Sequence, residues 1–270
     1  MSKNTVLLVI DPNNDFVDPK GSMYIPGADL AMEKLSKFIL TKGDEINSIY
    51  LSQNSHLKYH ITLKSFWTIG PENKGVDLSP KDNTVISALD VKNQVWLPQF
   101  HDYYKVVEYL EQLEAIGEKN IIRPDNCIYG SWGWCFPDHL INSLNEWTMM
   151  KGGRGYSIVQ RGLRREREMD GIFSYKVPRE DYKPAHSGLL VNILINYERI
   201  LIAGQAKDEI VANTIRTMLN NSLVDIYDVL GKLVFLDDLL TPINHNSPKL
   251  SIYQEAVDKF DAILTTSDKF

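Results

Sequence analysis

Histidine and cysteine are the side chains of this sequence best suited to metal binding or nucleophilic chemistry. His56 and His60 stand four positions apart, a spacing that could place both imidazoles in one metal site. Two histidines without a carboxylate make a poor site for zinc or iron, which usually take three or four protein ligands. Ordinary loop or core histidines are therefore the alternative interpretation of this pair.

The two cysteines, Cys127 and Cys135, are the candidates for thiol chemistry. A secreted chain of this length held by disulfides would usually carry more, so reduced thiols in a cytosol-like compartment are the simpler interpretation. We expect Cys127 to be a buried core thiol. Cys135 lies in an aromatic loop, SWGWCF, and we expect it to be unreactive.

Composition and charge narrow the classes of function. The chain has 270 residues, 43% hydrophobic and 24% charged, which are ordinary values for a globular protein. The formal net charge of −6 argues against nucleic acid as a partner, because phosphate binding needs clustered lysines and arginines. Glu166 and Glu168 interrupt the basic run at 161–167 (RGLRRER), and we expect this run to be solvated or paired within the chain.

The sequence has no pattern of a targeting or membrane segment. The N-terminus, MSKNTVLLVID, lacks a long apolar region followed by a small-residue cleavage site. No stretch approaches the ~18 apolar residues of a membrane span. We therefore expect a cytoplasmic protein without a membrane partner.

Short apolar runs alternate with helical patterns along the chain. Residues 6–10 (VLLVI) predict a strand buried on both faces of a parallel sheet. The first helical pattern places Leu30 on an apolar face with Met32 and Leu35. Further strands are predicted at 49–51, 121–122, 157–160, 200–203, 234–236 and 262–264, an extended piece at 84–91, and helices around 106–113, 140–147, 189–195, 207–221 and 253–260.

The alternation of strands and helices predicts an α/β protein with a Rossmann-like, three-layer α/β/α architecture and a mostly parallel central sheet. The sequence shows no internal repeat and no low-complexity linker. Residues 1–270 are therefore expected to form a single domain, with an insertion at about 64–120.

In such sheets the functional crevice lies at the carboxyl ends of the strands. Five places immediately follow predicted strands: Asp11, residues 52–60, residues 123–126, Arg161 and residues 204–210. We expect these places to meet in one site.

The same places carry a resemblance to nicotinamidases and related cysteine hydrolases of the isochorismatase superfamily. The segments that resemble this family are LLVIDPNNDFVDPKGSMYIPGA, SQNSHLKYHITLKSFW, RPDNCIYGSWG, IAGQAKDEIVANTIRTML and AILTTSD. The similarity covers nearly the whole chain and suits the longer, nicotinamidase-like members. It implies an isochorismatase-like domain.

The resemblance also implies a particular chemistry. In that family an aspartate, a lysine and a cysteine form the catalytic set, and the cysteine attacks an amide such as nicotinamide. Ammonia leaves, and water cleaves the thioester. An aspartate and several histidines hold a divalent metal that binds the ring nitrogen of the substrate.

The catalytic set implied by the resemblance is degenerate in this sequence. Asp11 matches the family aspartate, with a turn or cap residue as the alternative interpretation. The lysine position falls on Arg161, which stays charged but cannot serve as an adjustable proton carrier. The cysteine position falls on Ile210, which has no nucleophile. Cys127 and Cys135 are poor substitutes, since Cys127 matches the family cysteine that follows the metal histidine.

The implied metal set is also reduced. The family aspartate falls on Asn54, and the histidine of the W-P-x-H-C element falls on Asn126. A further histidine of the longer members falls on Leu63, while His56 and His60 remain. We therefore expect a vestigial, empty site and no cofactor, with weak Zn, Fe or Mn binding at His56 and His60 as the alternative.

The leading functional hypothesis is a non-hydrolytic pseudoenzyme that serves as a structural, assembly or small-molecule-binding protein. One alternative is an isochorismatase-type hydrolase, in which Asp11 protonates a vinyl ether without a nucleophile. Arg161 argues against it, because a neighbouring cation favours the ionised carboxylate. A nicotinamidase-like amidohydrolase that recruits Cys135 is the least favoured alternative.

Two kinds of partner are expected. One is an aromatic small-molecule ligand in the old pocket. The other is a homo-oligomer or a larger assembly, because aromatic residues are enriched at interface anchors and Trp132, Trp134 and Phe136 form a dense aromatic loop. The alternative interpretation of this loop is that it covers the core or the pocket.

Asp11 and Arg161 are expected to form a direct ion pair at the bottom of the crevice. The family places a lysine at the second position within reach of the aspartate, and arginine is longer. Its planar guanidinium can hold a carboxylate with two parallel hydrogen bonds.

Overall fold

The computed structural model describes residues 3–73, 75, 77–177, 186–220 and 225–270. Its strands are β1 (Thr5–Ile10), β2 (Ser48–Asn54), β3 (Trp67–Ile69), β4 (Val85–Ile86), β5 (Trp96–Pro98), β6 (Asn120–Ile121), β7 (Ser157–Arg161), β8 (Arg199–Gln205), β9 (Leu233–Thr241) and β10 (Ile263–Thr265). Its α-helices are α1 (Asn14–Val17), α2 (Ala28–Lys42), α3 (Ala88–Lys92), α4 (Tyr103–Ala115), α5 (Asp138–Met150), α6 (Ser187–Asn196), α7 (Ala212–Leu219) and α8 (Ser251–Phe260).

Six strands form one parallel sheet in the order β10-β9-β8-β1-β2-β7. The central strand β1 has the sequence TVLLVI and is buried at all six positions. Continuous apolar runs are typical of parallel strands, because helices cover both faces of the sheet. The predicted three-layer α/β/α fold class is confirmed.

The side chains on the two faces of β1 belong to two separate core clusters. Val6, Leu8 and Ile10 pack with residues of α6, α7 and α8. Leu7 and Val9 pack with residues of α2 and α5. This division follows from the period-two alternation of side chains in a strand. As a result, β1 fixes both helical layers relative to its own carboxyl end.

The segment predicted as an insertion has its own small core. Strand β3 pairs antiparallel with β5, and β4 pairs antiparallel with β6. The buried cluster of this region includes Phe66, Trp67 and Leu110. The division of the chain into one domain with an insertion stays a prediction.

Two local predictions in this region are wrong. Residues 121–122 were expected to form a strand of the central sheet, but β6 pairs with β4 outside it. A short apolar run cannot by itself show which sheet it joins. The extended piece predicted at 84–91 turns into helix α3, which begins with Ser87 as its N-cap in a capping box with Asp90.

Two helices also differ from their predictions. Leu30 was expected on the buried face of α2 but is 59% exposed, so the buried face is formed by residues such as Met32 and Leu35. The helix predicted at 207–221 is not continuous. It begins with a π-helical turn, Lys207–Val211, continues as α7, and its predicted last residue, Asn221, lies outside the described residues.

Gly204 brings β8 unusually close to β1 near their carboxyl ends. It pairs with Ile10 and has a φ of +121°, a conformation that favours glycine. A Cβ atom at this position would overlap the backbone of Ile10. In the described part of the chain, no helix has the length and apolar character that crossing a membrane requires.

Candidate functional site

The carboxyl ends of the central strands surround one cavity, as the crevice rule predicts. Asp11 follows β1 directly, Asn54 ends β2, Arg161 ends β7 and Gln205 ends β8. All four line a cavity of about 90 Å³. This space holds a few water molecules or a small ligand. Its apolar wall includes Phe16, Met23, Ile25, Met169, Ile210 and Ile243.

Asp11 and Arg161 form the expected ion pair at the base of this cavity. The Arg161 Nε donates to Asp11 Oδ2 at 2.7 Å, and Arg161 Nη2 donates to the same oxygen. Both side chains are buried, with exposed fractions of 1% for Asp11 and 5% for Arg161. The expected parallel arrangement on two oxygens is wrong, because Arg161 uses only Oδ2.

Ser52 explains why only one oxygen of Asp11 meets Arg161. The Ser52 hydroxyl donates to Asp11 Oδ1 at 2.5 Å, and its oxygen accepts from the Asp11 backbone N–H at 2.9 Å. These bonds hold Asp11 with a φ of +46°, in the left-handed region. Both carboxylate oxygens of Asp11 therefore have protein partners.

The positive charge of Arg161 is maintained by the same contact. Burial alone would lower the pKa of Arg161, but the charge and hydrogen bonds of Asp11 raise it above its ordinary value. A guanidinium held in this way neither gives up nor takes a proton at ordinary pH.

Ile210, which the resemblance places at the nucleophile position, lines the cavity within the π-helical turn. Thr62 is a cavity-lining hydroxyl that the sequence analysis did not single out, and its oxygen lies 2.8 Å from His60 Nδ1. A nucleophile needs a base that accepts its proton. His60 serves that role poorly, because burial and then the nearby His56 lower its pKa to about 3.

His56 and His60 lie together, with stacked rings whose centroids are 4.4 Å apart. His56 Nδ1 lies 3.1 Å from the carbonyl oxygen of Asn126, so this nitrogen carries the proton. His60 Nε2 lies 3.3 Å from the carbonyl oxygen of Arg167, which assigns its proton in the same way. Burial, followed by the charge of Arg161, lowers the pKa of His56 to about 4.

The residues of the implied metal site do not fit a divalent metal. His60 uses both ring nitrogens, one towards Thr62 and one towards Arg167. The Asn126 amide donates to the Pro124 carbonyl at 2.8 Å. Asn54 Oδ1 is buried without a hydrogen-bond partner, but no group of three His, Cys, Asp or Glu residues within the described ranges could hold a metal. The remaining donors of this set are His56 Nε2 and the amide oxygens of Asn54 and Asn126. All three are neutral, and the positive charge of Arg161 is nearby, so they make a poor cation site.

A second, partly buried ion pair also lines the cavity. Lys176 Nζ is 2.9 Å from Glu168 Oε2, and both residues line the cavity. Burial alone would raise the pKa of Glu168, but Lys176 and then Arg123 outweigh it and lower that pKa to about 2. From the sequence, Glu168 was interpreted only as a carboxylate that interrupts the basic run, because such carboxylates are usually solvated or paired within the chain.

Parts of the basic run are paired within the chain. Arg161 meets Asp11, and Arg167 is buried and donates to the Val177 carbonyl at 3.1 Å. The side chain of Arg164 is exposed, and its Nη1 lies 3.8 Å from Glu166 Oε1. The expectation of a solvated or internally paired segment therefore holds for these residues.

The cysteines differ in environment. Cys127 is fully buried, as expected, and burial followed by the charge of Asp15 raises the pKa of its thiol well above the ordinary value. Cys135 is exposed, and its thiol lies 3.4 Å from the Ser131 carbonyl. Neither residue is among those that line the cavity.

The aromatic loop is divided between core and surface. Phe136 is buried beneath α2 and α5. The Trp134 indole donates to Ser55 Oγ at 2.8 Å, and Trp132 is 51% exposed. The alternative interpretation, that this loop covers the core, therefore applies to Phe136.

Comparisons with known proteins agree with this architecture. No protein-family model matches the chain, and no curated protein sequence matches it. Among solved structures, the yeast nicotinamidase bound to the inhibitor nicotinaldehyde is similar, with a TM-score of 0.60 and 17% identity over 97% of this chain and 99% of that one. A nicotinamidase/pyrazinamidase of Acinetobacter baumanii has a TM-score of 0.60 and 16% identity over 99% of this chain and 98% of its own. An isochorismatase-like hydrolase from Alkaliphilus metalliredigens has a TM-score of 0.50 and 15% identity, over 98% of this chain and 96% of its own.

These structures define the fold. The chain has the α/β fold shared by nicotinamidases, pyrazinamidases and isochorismatase-like hydrolases, so the fold implied by the sequence resemblance is confirmed. At such low identity the likeness concerns the fold alone, and the chemistry has to be argued from the residues of this chain.

Proposed function

We propose that this chain is a non-hydrolytic member of the nicotinamidase/isochorismatase superfamily that binds a small molecule at the carboxyl ends of its strands. The observation that carries the proposal is the full engagement of Asp11. Its Oδ2 accepts from Arg161 and its Oδ1 accepts from Ser52.

A carboxylate engaged in this way is a poor proton carrier. A general acid or base must reach the substrate and exchange a proton with it. Protonating Asp11 would weaken its bonds with buried Arg161, and leaving a guanidinium buried and unpaired is costly. The same contact therefore argues against both amide hydrolysis and the isochorismatase-type protonation of a vinyl ether.

The cavity also offers little nucleophilic chemistry. Ile210 supplies an apolar surface where the resemblance expects a thiol. Recruitment of Cys135, the least favoured alternative, receives no support because this exposed cysteine is not among the lining residues. We further propose that the cavity works without a resident metal, since both ring nitrogens of His60 have protein partners and the other residues of the implied site, His56, Asn54 and Asn126, are neutral.

Turnover assays test the proposal directly. Purified protein is offered nicotinamide, pyrazinamide and isochorismate, and the expected rate is that of the buffer alone. Turnover of about 1 per second on any of them, a modest enzyme rate, would overturn the proposal.

Elemental analysis of the same preparation tests the metal separately. The expected content of zinc, iron and manganese is far below one equivalent. A content near one equivalent that is lost in His56→Ala would show that the pair of histidines holds a metal.

A further inference from the structure

Three residues that line the cavity carry polar groups for which the described part of the chain provides no matching partner. Asn54 Oδ1 is a buried acceptor and Gln205 Nε2 a buried donor, and the described residues provide neither with a hydrogen bond. The orientation of the Gln205 amide is fixed, because its Oε1 accepts from the Thr241 backbone N–H at 3.2 Å. Buried unsatisfied polar groups are costly, so each needs an explanation.

Arg123 is the third group. Every other charged side chain on the wall belongs to a salt bridge: Asp11 with Arg161, Glu168 with Lys176, and Glu209 with Lys249. Within the described residues, no carboxylate lies at salt-bridge distance from Arg123. The positive charge of Arg123 nevertheless contributes to lowering the pKa of Glu168. Among the charged side chains of the cavity wall, Arg123 is therefore the cation that can pair with an anionic ligand.

The strands place two of these residues, Gln205 and Asn54, at the same edge of the central sheet. Gln205 ends β8 and Asn54 ends β2, with β1 between them. Two strand spacings separate their backbones by roughly 10 Å, a distance that a small ring can bridge with help from the side chains. The apolar surface of Met23, Met169 and Ile210 suits the body of such a molecule.

We infer that the cavity binds a small organic carboxylate with an apolar body, and that Arg123 receives its charge. Gln205 Nε2 donates to the ligand, and Asn54 Oδ1 accepts from a hydroxyl or amine on it. The guanidinium is well suited to this role because its planar donors match a carboxylate. The inference rests on the proposed function, since it names the ligand of the same cavity.

Calorimetric titration with benzoate and benzamide tests the charge requirement. The two probes have nearly the same size and shape, but only benzoate carries a charge. Benzoate should bind saturably and at least roughly tenfold more tightly than benzamide, as expected when a charge-assisted bond replaces a neutral one. Equal affinities, or absence of saturable benzoate binding, would overturn the inference.

Variants of Arg123 test the assignment of the charge. Arg123→Gln should weaken benzoate at least roughly tenfold and leave benzamide unchanged, whereas Arg123→Lys should retain the preference for benzoate. Arg154→Gln is the matched control, since Arg154 is exposed and donates to the Asn47 carbonyl away from the cavity. Unchanged benzoate affinity in Arg123→Gln would refute the role of Arg123.

Further measurements distinguish an organic carboxylate from inorganic phosphate as the ligand, and distinguish failure of this inference from failure of the proposed function. 3-Hydroxybenzoate should bind more tightly than benzoate through Asn54, and inorganic phosphate should bind more weakly, because it cannot use the apolar wall. Tighter binding of phosphate would identify a plain anion site and overturn the carboxylate. Hydrolysis of nicotinamide would end the proposed function while leaving the preference for benzoate to be judged on its own.

Discussion

Arg161 directs two nitrogens, Nε and Nη2, to the same oxygen of Asp11 and leaves the other oxygen to Ser52. The ion pair is therefore part of a network of three residues, Arg161, Asp11 and Ser52, which fixes the orientation of the Asp11 carboxylate. Because both charges are buried, each depends on the other for its stability in the fold.

Asp11→Asn should lower the free energy of unfolding by about 3–5 kcal/mol, because it leaves the Arg161 guanidinium buried and unpaired. The double variant Asp11→Leu/Arg161→Met, which removes both charges, should be far less destabilised. Urea unfolding followed by circular dichroism measures both. Glu255→Gln is the control, because its partner Lys259 is largely exposed, and the expected change is within about 0.5 kcal/mol. An Asp11→Asn protein as stable as the wild type would contradict the network.

Ile210→Cys should not restore nicotinamide hydrolysis. A thiol at this position still lacks a free carboxylate, because Arg161 and Ser52 hold both oxygens of Asp11. The double variant Ile210→Cys/Arg161→Lys tests whether the contact of Arg161 with Asp11 is the cause, because it places at position 161 the lysine that the resemblance implies there. Ammonia release is the measurement. Hydrolysis by the single variant would show that Asp11 is available to the substrate despite its contacts.

The stability of the protein should fall as the pH drops from about 6.5 to 4. The folded pKa values of His56 and His60, about 4 and about 3, lie below the ordinary 6.5. Their neutral burial therefore stabilises the fold above pH 6.5, and this contribution is lost as the pH falls toward the folded values. For His56 alone the loss is on the order of 3 kcal/mol.

The free energy of unfolding at several pH values measures this slope. His56→Gln/His60→Gln should flatten it between pH 6.5 and 4.5, above the range in which carboxylates dominate. His245→Gln, at an exposed position, is the control and should leave the slope unchanged. A double variant with the wild-type slope would show that other groups cause the acid sensitivity.

An oligomer held by the aromatic loop should depend on Trp132, which is the exposed member of that loop. Light scattering should give a mass above that of one chain, and Trp132→Ser should lower it, since aromatic residues often anchor interfaces. Tyr227→Ser is the control, because Tyr227 is also exposed but lies elsewhere in the chain. A stable wild-type monomer without a co-purifying partner would count against this proposal.

The features that sequence reasoning predicted best are those fixed by a strong local pattern. The run VLLVI predicted β1, and its end predicted the position of Asp11. The pairing of Asp11 with Arg161 followed from the resemblance together with the length of an arginine side chain. The first prediction depends on a signal carried within a few residues, whereas the second joins residues 150 positions apart and needed the resemblance.

The features that were missed depend on contacts between distant segments. Ser52 begins the segment 52–60 that was expected to reach the site, but nothing in its neighbourhood indicated that its hydroxyl would bind Asp11. Glu168 meets Lys176 only after the chain has folded back. Strand β6 pairs with β4, Ile121 with Val85 and Asn120 with Ile86, rather than joining the central sheet. Local patterns cannot decide such choices, because the partners are set by the tertiary fold.

Gly204 has a consequence for how this architecture can be redesigned. Its contact with Ile10 sets the separation of β8 and β1 through backbone atoms alone. The spacing between the residues that follow these two strands is thus independent of the side chains that they carry. Exchanging Gln205 for another residue should alter what the cavity recognises while leaving its width in place, whereas adding a single methyl group at Gly204 should spread the strands and displace both Gln205 and Asp11.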